Sequence, residues 1–379
     1  MLQSAFCLLI STLLLACSST SPSVQVSQST AGAYEAALAT SGTGFAVAWY
    51  DTRDGNAEIY FRLLDVNGQP AGPEHRLTDS PDSSYEASIE CVGDSFIVAW
   101  YEQTPEGQQT AMLGAWDREG RREWVRPIAP ASRNPVIRAG DGAIVAAWIQ
   151  AGPDGSEHVW VGTWGSDGNE MRPRARVGAV SKTTWNLNLA LEGTNPWVVY
   201  DAATSTRSSE LYLGRVDGSG VHLTRLTRDD GVTSKYPDLA IDDQQRVALT
   251  WYDMRDGNDE VYLLVGRGAD LQGEIDARAR RITVTPGESI GAYVAWNAGR
   301  VGLAWSDRTG AGHEIYFESF DSDGKSLGNA ERLTRRSLVP AIRAWQNGFA
   351  LAWTEYSPAS DQLHDGTGEI AFTLVQQQP

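Results

Sequence analysis

The sequence predicts an all-β fold: a seven-bladed propeller of four-stranded antiparallel blades, closed by the N-terminal strand. Seven short apolar runs end in an aromatic anchor, at Trp49, Trp100, Trp148, Tyr200, Trp251, Trp305 and Trp353, with 48 to 54 residues between successive anchors along a chain of 379. A near-constant period of this length marks a ring of like supersecondary units, and four short strands per unit are what a propeller blade needs. The seventh unit stops one strand short, and a matching segment stands at the opposite end of the chain.

In the first unit, residues 34–38 read as strand a, 45–50 as strand b, 58–64 as strand c and 75–78 as strand d. Strand b is the clearest. Phe45, Val47 and Trp49 alternate with Ala46 and Ala48, and Phe349, Leu351 and Trp353 with Ala350 and Ala352. Alternation of large with small, rather than apolar with polar, means that both faces are buried, as stacked blades require. Strand c repeats as Glu58-Ile59-Tyr60, Glu210-Leu211-Tyr212, Glu260-Val261-Tyr262 and Glu314-Ile315-Tyr316. Strand d repeats as Arg76-Leu77-Thr78, Arg225-Leu226-Thr227, Arg281-Ile282-Thr283 and Arg332-Leu333-Thr334. Charged and β-branched, strand d reads as the outer edge, where arginine discourages edge-to-edge pairing. The last unit ends after its strand c at residues 369–375. Residues 24–27 precede Tyr34 with the offset that Leu77 keeps from Tyr85, so they are expected to complete the seventh blade and latch the ring.

Composition narrows function. Apolar residues make up 41% of the chain and glycines number 38, which suits short strands joined by many turns. The net charge of −17 excludes a nucleic-acid partner, because phosphate binding needs clustered Lys and Arg. The five histidines share no column, and no zinc-ligand spacing, P-loop or nucleophile elbow is present.

At the N-terminus an uncharged apolar segment, residues 6–16, is too short to span a bilayer and ends in Leu14-Leu15-Ala16-Cys17 before the run Ser18-Ser19-Thr20-Ser21. This resembles a bacterial lipoprotein signal with its lipobox, although residues 1–16 hold no Lys or Arg. The resemblance implies cleavage before Cys17, acylation of Cys17 and, with Ser18 following, delivery to the outer membrane of the cell envelope. A plain secretory signal or an uncleaved anchor are the alternatives. The organisation expected is residues 1–16 as signal, 17–23 as tether and 24–379 as propeller, membrane-associated through the lipid alone and monomeric. Cys91 would then be the single remaining cysteine, so the fold must rest on packing.

Functional candidates lie in the loops. Two places after the anchor an acidic residue is read in six of seven units, Asp51, Glu102, Asp201, Asp253, Asp307 and Glu355, with Gln150 the exception. Three units extend this into a loop, Asp51-Thr52-Arg53-Asp54-Gly55-Asn56, Asp253-Met254-Arg255-Asp256-Gly257-Asn258 and Asp307-Arg308-Thr309-Gly310. One reading is b–c turn chemistry, with the acid or the strand-c Glu pairing the loop Arg. The other is an outward ring of carboxylates and guanidiniums that binds a polar or cationic partner. No cofactor is expected. Ca²⁺ would suit the hard oxygen ligands, but the EF-hand pattern is absent. On the same face Tyr34, Tyr85, Trp185 and Tyr236 open their strands a, the first two followed by Glu35 and Glu86, and could stack on a sugar, grip a protein or simply pack.

The unit W-Y-D-x-R-D-G-N-x-E-[IV]-Y at residues 49–60 and 251–262 is similar to repeats of bacterial propellers of the sialidase-like and TolB-like group. The c–d turns Trp116-Asp117-Arg118-Glu119-Gly120 and Phe320-Asp321-Ser322-Asp323-Gly324 resemble degenerate Asp-box turns. No catalytic residue transfers by motif. The expectation is therefore a non-catalytic, envelope-anchored propeller that engages a protein or envelope component through its b–c and d–a loops. The alternative is a glycan-binding or sialidase-like glycoside hydrolase propeller.

Overall fold

The computed structural model describes residues 18–203, 208–308, 312–356 and 368–377, and shows seven antiparallel sheets around one axis. Each blade runs from strand a at the channel to strand d at the rim. The first blade is built from Ala33–Ser41, Gly44–Asp51, Glu58–Leu64 and His75–Arg76. Its strand b is buried at every position, as the large–small alternation requires.

There is no single core. Seven apolar clusters each fill one junction between neighbouring blades. Phe45, Val47 and Trp49 pack against Ala350 and Ala352 of the seventh blade, while Ala46, Ala48 and Tyr50 face Phe96, Val98 and Trp100 of the second. Large side chains of one blade thus occupy the space left by small ones on its neighbour. Truncating one such Trp to Ala would cost about 3–5 kcal/mol.

The latch forms as expected. Val24 pairs with Phe372 and Gln25 with Ala371, alongside the last strand, Gly368–Gln377. Ser18–Thr20, read from the sequence as part of a tether, continues this pairing against Val375–Gln377. Cys17 and the signal segment lie outside the described residues.

The strand-c glutamate is a pin for strand d in the first, fourth, fifth and seventh blades. Glu58 is fully buried and accepts hydrogen bonds from the Thr78 hydroxyl at 2.5 Å, Arg76 at 2.9 Å and the Ser80 N–H at 3.0 Å. Thr78 in turn accepts from the Ile59 N–H at 2.8 Å. Glu260 repeats the set with Thr283, Arg281 and the Thr285 N–H, and Glu210 keeps its threonine, Thr227, at 2.8 Å. In the latch, Ser27 stands in for the threonine: it donates to Glu369 and accepts from the Ile370 N–H at 2.7 Å. Arg76 and Arg281 therefore fasten strand d inward to strand c, beyond the edge-blocking role expected of them.

The Asp-box-like turns are explained the same way. Asp117 Oδ1 accepts from the N–H groups of Glu119 and Arg121, and Asp321 Oδ1 from those of Asp323 and Lys325. Gly120 and Gly324 supply the left-handed position, at φ 74° and 76°.

Candidate functional site at the channel mouth

The structure gives the loop candidates partners inside their own blades. Asp51 accepts from the Trp49 indole at 3.2 Å, the Ser29 hydroxyl at 2.8 Å, and Arg53 through its backbone at 3.0 Å and its guanidinium at 2.5 Å. Arg53 also binds Glu74 at 2.6 Å and lies over the Tyr60 ring. Tyr60 donates to Asp54, which pairs with Arg76 at 3.5 Å. Asp253, Arg255 and Asp256 repeat this network with Trp251, Ser234, Asp276, Tyr262 and Arg281. Asp307 meets Thr285 at 3.2 Å and Ser289 at 3.4 Å. Arg308 remains on the surface, its side chain 57% exposed and 4.0 Å from Glu288; Gly310 of its loop lies outside the described residues.

Asp201 belongs elsewhere. It stands one residue after its anchor, not two, and so occupies the column of Tyr50, while Ala202 takes that of Asp51. From there it accepts the N–H groups of Trp185 at 2.7 Å and Tyr236 at 2.9 Å, tying the fourth blade to the fifth.

The unsatisfied chemistry lies on the axis. A cavity of about 460 Å³ is lined by strand a of all seven blades, including Glu35, Glu86, Asn134, Asn186, Tyr236, Gly291 and Val339. Six of these seven have positive φ: Glu35 56°, Glu86 52°, Asn134 49°, Tyr236 50°, Gly291 58° and Val339 54°. Each marks a register shift near the start of its strand a, between Tyr34 and Ala37 in the first blade and between Tyr85 and Ser88 in the second. The fourth blade alone runs without one. A left-handed backbone at Glu, Tyr and above all β-branched Val costs energy, and bulges of this kind re-aim side chains beside functional sites.

The bulges set Glu35 and Glu86 on the cavity wall in adjacent blades. Both are half-buried; the Glu35 N–H donates to the Thr354 hydroxyl at 2.9 Å, but neither carboxyl has a hydrogen-bond or ion-pair partner among the described residues. Burial, then the charge of Glu86, pushes the Glu35 carboxyl up to about 8. Burial pushes Glu86 up to about 7 against the pull of Arg133. Arg133 itself is held by Glu157 at 2.6 Å and the Thr184 carbonyl at 2.9 Å.

Tyrosines surround the pair. Tyr34, Tyr50, Tyr85 and Tyr101 form a chain with ring centroids 5.3 to 5.7 Å apart, and Tyr236 stacks on Tyr252 at 5.3 Å. Of the aromatic candidates, Tyr34 is buried, Tyr85 and Tyr236 are half-buried and Trp185 is 48% exposed on the cavity wall, under Lys235 at 4.7 Å. Further along the channel Glu90 sits 3.6 Å from Arg138 and 3.7 Å from Arg343, near Asp238. Burial and the neighbouring Arg138 pull Arg343 down to about 10.

The site residues that sequence reasoning passed over are thus Glu35 and Glu86, noticed only as followers of Tyr34 and Tyr85. Their signal was an acid directly after the aromatic that opens strand a in two consecutive units.

No protein-family model and no curated protein matches the chain. Solved structures do. A Dyadobacter fermentans protein of unknown function aligns with a TM-score of 0.59 at 10% identity, over 95% of this chain and 99% of its own. The phage phi92 endosialidase aligns at 0.53 and 9% identity, over 94% and 69%, and the Penicillium chrysogenum α-L-arabinanase at 0.53 and 11%, over 77% and 92%. At such identities the likeness is one of fold, and the fold is a seven-bladed β-propeller with endosialidase and arabinanase propellers among its structural neighbours.

Proposed function

We propose that this chain is an envelope-anchored propeller that binds carbohydrate at the mouth of its axial channel. One observation carries it: among the described residues the carboxyl groups of Glu35 and Glu86 stand without partners on a tyrosine-lined cavity of about 460 Å³, whereas the loop acids and arginines are largely consumed inside their blades. That volume lies within the ~300–1,000 Å³ of small-molecule sites. Tyrosine faces stack on the C–H faces of sugar rings, and carboxylates accept from their hydroxyls. The endosialidase and arabinanase with similar folds are named for glycan substrates, which supports the reading by analogy alone.

A catalytic version has one observation in its favour. At neutral pH Glu35, raised to about 8, keeps its proton while Glu86, raised to about 7, is partly ionised, the division of labour that an acid and a base in glycoside cleavage need. A protein partner on the rim is supported by the exposed Arg308.

Glycan-array binding followed by titration tests the proposal. Glu35→Gln/Glu86→Gln should weaken glycan binding at least tenfold with Arg308→Ala unaffected; the reverse pattern would move the site to the rim. Release of reducing ends by the unmodified protein, lost in Glu35→Gln, would establish catalysis. The anchor is proposed at Cys17: Cys17→Ser should abolish incorporation of labelled fatty acid and shift the protein out of the membrane fraction.

A further inference from the structure

We propose that the group recognised between Glu35 and Glu86 is a protonated amine, so that the ligand is an amino sugar; this deepens the carbohydrate reading and rests on it. The first ground is the distribution of charge along the channel. Farther in, Arg138 and Arg343 are offset by Glu90 at 3.6 and 3.7 Å and by Asp238. At the mouth Arg133 is spent on Glu157, and Lys235 lies over the Trp185 ring beside Asp201. Among the described residues that line the cavity, the carboxyl groups of Glu35 and Glu86 have no hydrogen-bond or ion-pair partner. An anionic ligand would meet two unpaired carboxyl groups, with Arg133 already bonded to Glu157 and Lys235 held over the Trp185 ring. A neutral sugar leaves Glu35 protonated at neutral pH, whereas an ammonium beside the pair lets both carboxyls ionise and meets both charges.

The second ground is aromatic. Tyr236, Tyr252 and Tyr293 line the same cavity, and Tyr50 and Tyr101 flank the ring of Tyr85, the residue before Glu86. Rings and carboxylates together are the chemistry that holds ammonium groups.

Ser306 supplies an independent pointer to a ligand. It is fully buried in the structure, its residue lines the cavity, and its hydroxyl has no hydrogen-bond partner. A buried hydroxyl left alone costs about 1–3 kcal/mol, and a donor entering the channel removes that cost.

Three trisaccharides that differ only at C2, the β-1,4-linked trimers of glucosamine, N-acetylglucosamine and glucose, distinguish the possibilities by calorimetric titration, with n-butylammonium and CaCl₂ as separate probes. The glucosamine trimer should bind at least tenfold tighter than the other two. Glu35→Gln/Glu86→Gln should erase that preference, with circular dichroism showing the fold intact, and Ser306→Ala should weaken the glucosamine trimer severalfold. Equal or tighter binding of the N-acetyl or glucose trimer would overturn the amine and leave the carbohydrate reading standing. Binding of n-butylammonium with no trimer bound would keep the amine and sink the carbohydrate. Binding of CaCl₂ alone, or of none of the probes, would overturn the inference.

Discussion

The b–c loops and the channel mouth are built from the same kinds of residue, acids, arginines and tyrosines, and differ in how these are matched. In the loops Asp51 serves Trp49, Ser29 and Arg53, and Arg53 serves Asp51, Glu74 and the Tyr60 ring. At the mouth the carboxyl groups of Glu35 and Glu86 bind nothing among the described residues. A repeated charged motif is thus a fastening, and the unrepeated acids, present in two blades of seven, are the candidate site. The position carries the difference: loop groups close a turn onto their own blade, whereas residues raised on a bulge look across an axis that no blade fills.

The comparison can be broken most forcefully in the loops. Asp253→Ala leaves Arg255, the Trp251 indole and the Ser234 hydroxyl without their common acceptor, and should lower the unfolding free energy by about 3–5 kcal/mol in urea titration. Glu86→Ala at the mouth should cost far less; equal losses would erase the distinction. Next in size, Thr283→Val removes the hydroxyl that joins Glu260 to the Val261 N–H and should cost about 1–3 kcal/mol by the same measurement.

A pH scan sharpens the contrast from the other side. A carboxyl whose pKa rises on folding keeps its proton in the folded chain after the unfolded chain has lost it, so Glu35 subtracts stability as pH climbs from about 4.5 toward about 8. Glu35→Gln should therefore raise Tm by roughly 2–4 °C at pH 8 and leave it unchanged at pH 4; a gain of the same size at both would show that the carboxyl is not the cause. Smallest of all, Arg308→Ala should alter stability by under about 0.5 kcal/mol and leave glycan binding intact.

The scaffold was legible because its instructions are local and repeated. Alternation around Trp49 and Trp353 states which faces are buried, and the offset before Tyr34 states where the missing strand belongs. Asp201 slipped a column because the fourth unit carries its acid one residue early, a shift that only strand register reveals. The mouth was hidden for a deeper reason. A left-handed residue is betrayed in sequence by glycine, and here only Gly291 gives that sign; Glu35, Glu86, Asn134, Tyr236 and Val339 take the conformation under pressure from the ring around them. Tertiary closure makes the bulges, and no single repeat contains it.

The latch has a consequence for how the molecule comes into being. Ser27 meets Ile370 across 343 positions, so the earlier segment must wait for one made 343 residues later. Until then the blades form an open arc with two bare sheet faces, and the channel that carries the site does not exist. Contacts so distant in sequence are slow to form, and the unfinished arc is the state in which this protein is most exposed to aggregation.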